Sequence, residues 1–179
     1  MEYQAIIDFW FKEVTPQQKW KKDPAFDQML KERFLDINQA AANCELFGWR
    51  INPLGRLAEI IVLDQFSRNI FRDQAESFSQ DSLALALAQE AVACNAPAGL
   101  DTEQRSFLYM PYMHSESPLV HQQAVQLFSE EGLENSYNFE IRHKEIIDRF
   151  GRYPHRNAVL GRQSTQAELE FLEQPGSSF

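Results

Sequence analysis

Apolar residues recur at helical spacing from one end of the chain to the other. Ile6, Phe9, Trp10 and Val14 form a first stripe, with Asp8, Lys12 and Glu13 off it. Phe26, Leu30, Phe34, Ile37, Ala41 and Cys44 form a second, closed by Gly48. A third runs through Leu57, Ile60, Ile61 and Leu63 towards Phe71, and a fourth through Phe139, His143, Ile146, Ile147 and Phe150 to a stop at Gly151. Start signals match these stripes. Thr15-Pro16, Asp23-Pro24, Asn52-Pro53 and Ser117-Pro118 each pair a capping residue with proline at the first helical position. Asp81-Ser82, Asp101-Thr102 and Asn135 open three further helices, the one from Ser117 closes at Gly132, and Thr165 to Glu168 is a capping box. Leu83, Leu85 and Leu87 alternate as in a strand, but the alanines between them favour helix. Pro111 is expected to kink or end its helix, and a short helix is expected after Pro154. The pattern predicts an all-α fold of stacked helical hairpins in one domain over residues 1–174. A tail over 175–179 is expected to fray unless Phe179 docks.

Length and composition narrow the class. The 179 residues suit one domain with a real core, filled by 14 Phe and 3 Trp. A net charge of −9 argues against a general nucleic-acid binder. No apolar run approaches the roughly 20 residues of a membrane-spanning helix. Two cysteines, Cys44 and Cys94, make no disulfide framework and read as small core residues, so a reducing, cytoplasmic location is expected.

Charge is unevenly placed. Before residue 50 there are five Lys and one Arg; from there on, ten Arg and one Lys. Residues 141–162 carry six cations and two anions. Guanidinium groups suit both buried carboxylate pairs and bound anions, so two readings stand. Either each arginine is tied to an acid from another helix, or the group attracts a small anion. Asp64, Arg68 and Arg72 fall four apart and share a helix face, with Gln65 and Asn69 beside them. That face is either a pocket wall or a solvated helix end. Asp64-Gln65-Phe66-Ser67-Arg68 recurs as Asp148-Arg149-Phe150-Gly151-Arg152, 84 residues later. The echo reads equally as duplication or as chance.

Histidine supplies the remaining chemistry. His114 and Glu116, just beyond Pro111, are candidates for acid and base or for helix caps. His155, after Pro154, is placed to meet an anion. His143 lies on an apolar stripe and reads as a core residue. His121 reads as exposed and is assigned nothing. No histidine spacing fits a helical metal site, no Gly-rich phosphate loop or nucleophile elbow occurs, and no cofactor is expected.

Four blocks resemble a known family. Ile7-Asp8-Phe9-Trp10-Phe11, Gly55-Arg56-Leu57 through Arg72, Phe107-Leu108-Tyr109-Met110-Pro111 to Glu116, and Arg149-Phe150-Gly151-Arg152-Tyr153-Pro154-His155-Arg156-Asn157 to Thr165 are similar to a bacterial family catalogued as domain of unknown function 924. The resemblance implies a tetratricopeptide-like, right-handed α-α superhelix and no established activity. It departs at Ser67, where the family commonly has proline; serine lets the helix continue.

Two functions follow as expectations. One is a module that binds a peptide, chain terminus or small anion in a groove lined by Arg56, Asp64, Gln65, Arg68, Asn69, Arg72, His114, Arg149, Arg152, His155, Arg156 and Asn157. The other is an enzyme acting on a phosphorylated or carboxylated metabolite, with His114 or His155 moving a proton and Glu116 or Asp64 orienting it. A third reading keeps the polar set as internal glue, and the oligomeric state is open.

Overall fold

The computed structural model describes residues 1–178 and contains, among them, ten α-helices and no strand. The chain is all-α, as its stripes predict. The helices are α1 (Tyr3–Asp8), α2 (Pro16–Trp20), α3 (Pro24–Ala42), α4 (Pro53–Ile61), α5 (Ser67–Ile70), α6 (Asp81–Ala93), α7 (Thr102–Met113), α8 (Pro118–Phe128), α9 (Glu134–Phe150) and α10 (Gln166–Leu172). Wider π-helical turns, Phe9–Glu13 and Val62–Phe66, follow α1 and α4.

Sequence neighbours pack from α6 to α9. In the N-terminal half the partners are interleaved: α1 lies on α4, and α3 on α5. Helix α4 is central. Its Leu57, Ala58, Ile60 and Ile61 are all fully buried, the mark of a helix surrounded by others. Glu59 is buried with them, because Arg50 reaches it with two hydrogen bonds of 2.6 and 2.7 Å. Aromatic rings fill the core beside it: Phe9–Phe34 at 4.7 Å, Phe34–Phe66 at 5.0 Å and Trp10–Phe107 at 5.6 Å between centroids.

Several local expectations are corrected. Helix α7 runs through Pro111 to Met113, since packing against α4, α6, α8 and α9 outweighs one missing backbone bond. Asp81–Ala93 is helical, as its alanines favour, and buries Ala84, Ala88 and Ala91; small side chains let it approach α4 and α7 closely. Helix α9 starts at Glu134, before Asn135, and α8 ends at Phe128, well short of Gly132. Cys44 and Cys94 are exposed, because each stands just past a helix end rather than on its buried face. In the tail, Ser177 is buried and donates to the Leu172 carbonyl at 3.0 Å. Docking of Phe179 lies outside the described residues.

Candidate acid–base site

The site begins where α4 widens. A π-turn leaves backbone carbonyls off the regular i to i−4 ladder, so side chains must satisfy them. Asn38 of α3 donates to the Val62 carbonyl and the Ser67 hydroxyl, both at 2.9 Å. Arg68 donates to the Asp64 carbonyl at 2.8 Å. The helix continues through Ser67 to Ile70, as serine allows. Asp64 is thereby held on the buried side, 1% exposed.

Both Asp64 oxygens are engaged. Oδ2 accepts from the Gln65 amide at 2.6 Å. Oδ1 lies 2.8 Å from His114 Nδ1 and 2.9 Å from Arg68 Nη1. Burial pushes the Asp64 pKa up, but the Arg68 guanidinium and His114 outweigh it and hold the carboxyl well below its usual range. A carboxylate only accepts, so His114 Nδ1 carries the proton and Nε2 is left as the basic nitrogen. Nε2 has no hydrogen-bond partner among the described residues. Burial and the adjacent Arg68 hold the His114 pKa below its ordinary value, against the pull of Asp64. The imidazole is therefore neutral at pH 7, with its side chain 16% exposed.

A second guanidinium joins from the other end of the chain. Arg156, in the short 3₁₀ turn Pro154–Arg156, donates to Asp81 Oδ2 at 3.0 Å, and Arg68 donates to the same oxygen at 3.0 Å. Both guanidinium groups stack on Phe78, 4.5 Å from its centroid for Arg156 and 5.7 Å for Arg68. Arg156 Nε is buried with no acceptor.

The backbone around His114 is clamped at consecutive residues. Helix α7 ends there, and its last carbonyls need donors. Tyr153 Oη donates to the Met113 carbonyl at 2.5 Å, Arg156 Nη2 to His114 O at 3.1 Å, and His121 Nε2 to Ser115 O at 2.8 Å. Glu116 then accepts two bonds from Arg162 and one from the Tyr153 N–H. Burial opposes ionisation of Glu116, but these donors hold its pKa low. Asn157 braces the clamp by accepting from Arg162 Nε at 2.9 Å.

The histidines gather around Tyr153. The rings of His121, His143 and His155 stand 6.3, 5.7 and 5.5 Å from it. Burial lowers the His143 pKa to about 3 and, with Arg156, that of His155 to about 4. His121, read from the sequence as exposed, is fully buried and faces Glu140 at 2.7 Å. Burial raises the Glu140 pKa. A lone histidine between Val120 and Gln122 gave no signal of this, since its acid comes from α9.

The other proposed site residues go elsewhere. Arg72 does not stay on the Asp64 face: α5 ends at Ile70, and Arg72 pairs with Asp27 at 2.5 Å, as does Asn69 at 2.8 Å. Arg56 pairs with Glu90, and Arg152 with Glu168 at 2.6 Å. Arg149 stacks on Phe150 at the exposed end of α9. Asp81, Tyr153, Phe78 and Arg162 lie outside the set expected from the sequence to line the site; Asp81 reads there only as a helix opener, and Arg162 only as one of the six cations of 141–162. Among the described residues, no group of three or more His, Cys, Asp or Glu is placed to hold a metal ion. No helix there is long and apolar enough to cross a membrane.

The fold and site together define an all-helical protein carrying a carboxylate-held histidine beside two guanidinium groups. The chain belongs to the family described as bacterial protein of unknown function (DUF924), whose model matches residues 6–176. It is similar in structure to the protein of unknown function ATU0120 from Agrobacterium tumefaciens, with 37% identity, 96% of each chain covered and a TM-score of 0.90. No curated protein matches it.

Proposed function

We propose that this face binds a small carboxylated or phosphorylated molecule and that His114 accepts a proton from it. The observation that carries the reading is the 2.8 Å contact from buried Asp64 to His114 Nδ1, which fixes the tautomer and leaves Nε2 basic. A neutral, partly exposed imidazole whose far nitrogen has no partner among the described residues is what a general base requires. Arg68 and Arg156 supply N–H donors for the oxygens of the ligand. Their charges are balanced by Asp64 and Asp81, so binding rests on directed donors rather than on net positive charge. The carboxylate of a peptide chain terminus belongs to the same ligand class.

A second reading also has an observation behind it. Arg68 satisfies buried Asp64, and Arg156 satisfies part-buried Asp81 and a helix end, as an internal brace would. Thermal melts with citrate, inorganic phosphate and a tripeptide, on the native chain and on Arg68→Gln and His114→Ala, separate the two. The site reading expects a concentration-dependent rise in melting temperature that both variants lose. No rise with any probe, or the same rise in both variants, leaves the brace.

A further inference from the structure

Arginine usage singles out a different place. Of the eleven arginines, nine lie within ion-pair distance of a carboxylate. Arg142 and Arg149, seven residues apart on α9, have no such partner among the described residues. Both line one recess of about 340 Å³, with Glu145, Ile146, Phe150 and Phe171. Glu145 forms an ion pair with neither.

The floor of this recess is aromatic. The Phe150 and Phe171 rings are tilted against each other at 5.1 Å, both only partly buried. The Arg149 guanidinium sits 4.6 Å from the Phe150 centroid and 5.8 Å from that of Phe171. Arg142 is 5.7 Å from Phe139. Stacking occupies the face of a guanidinium and leaves its edge N–H groups for an oxygen acceptor. In a chain of net charge −9, two guanidinium groups without an ion-pair partner, against Glu145 as the one acid lining the recess and beside the partly buried Phe150 and Phe171, are complementary to an amphipathic anion. The volume lies at the lower end of small-molecule pockets, roughly 300 Å³.

We propose that this recess is a second binding site, separate from the His114 group, for a small aromatic carboxylate. The ligand ring lies against Phe150 and Phe171, and its carboxylate takes N–H groups from Arg149 and Arg142. The site draws only on α9, α10 and the turn after it, so it stands or falls independently of the acid–base reading.

Titration calorimetry with 3-phenylpropionate tests it on the full chain. Two relatives of the probe dissect the chemistry: 3-phenylpropionamide lacks the charge, and propionate lacks the ring. Saturable binding with a dissociation constant on the order of 1 mM or tighter is expected. Each relative and the Arg149→Ala variant should bind at least about tenfold more weakly, with salt weakening the acid but not the amide. Arg149→Lys, which keeps charge but loses the planar fork, should fall between. Arg149 is exposed, so an unchanged melting temperature confirms that the variant is folded. Equal affinity for the amide, native affinity in Arg149→Ala, or no saturable binding overturns the proposal.

Discussion

The same five-residue pattern occurs twice in this protein and meets opposite fates. In Asp64-Gln65-Phe66-Ser67-Arg68, the aspartate and phenylalanine are fully buried, and Asp64 pairs with Arg68 four residues on. In Asp148-Arg149-Phe150-Gly151-Arg152, Asp148 is exposed and pairs backwards with Lys144 at 2.5 Å, while Arg152 turns away to Glu168. The difference lies at the fourth position. Ser67 keeps helical backbone, and its hydroxyl accepts from Asn38. Gly151 takes φ of 69° and ends α9, so Arg152 leaves the face that carries Asp148. Matching letters supply matching chemistry only where the backbone keeps them on one face and neighbouring helices close over them.

The sharpest way to break this contrast is to remove each aspartate in turn. Asp64→Ala leaves Arg68 and His114 without their buried partner and should cost about 3–5 kcal/mol. Asp148→Ala should change stability by less than about 0.5 kcal/mol. Urea unfolding measures both, and equal losses would erase the distinction.

Acid should separate the two copies next. His143 and His155 have folded pKa values of about 3 and about 4, below the ordinary 6.5. The unfolded chain therefore takes up their protons first as pH falls. Their contribution is complete above pH 6.5 and is lost as pH falls, down to about 4 for His155 and about 3 for His143, on the order of 3 and 5 kcal/mol respectively at most. Below that, depressed carboxylates such as Asp64 and Glu116 add to the loss. Melting temperatures across this range should fall steeply, less so in His155→Gln, and Asp148→Ala should follow the native curve.

Smaller effects probe the fourth position. Gly151→Ala meets no neighbouring atom within 4 Å but forces a left-handed residue, which should cost about 1 kcal/mol. Ser67→Ala removes one acceptor from Asn38, which keeps its bond to Val62, and should cost about 0.5–1.5 kcal/mol. Lys144→Ala, which removes the pair with Asp148 and a weaker attraction to Glu140, should cost a few tenths of a kcal/mol in the same unfolding assay.

Helix type and many boundaries were legible in the sequence because stripes and caps are local. The capping boxes at Thr15, Asp101 and Thr165 each use residues three apart. Asp64, Arg68 and His114 were legible as candidates because polar residues beside an apolar run are conspicuous. Their partners were not. Asp81 reaches Arg156 across 75 residues, and His121 finds Glu140 on the next helix. Such pairings arise only when helices stack, and no local pattern encodes them. The same limit applies to the arginine-rich stretch 141–162: folding ties Arg152, Arg156 and Arg162 to acids and leaves Arg142 and Arg149 in one recess.

The ring nitrogens of His114 test the central claim most directly. Nitrogen NMR of the native chain should show a neutral ring protonated at Nδ1 at pH 7, with a pKa below the ordinary 6.5, while Asp64 remains ionised. Asp64→Asn should abolish that tautomer preference. A proton found on Nε2, or a ring that titrates at or above 6.5, would contradict the account.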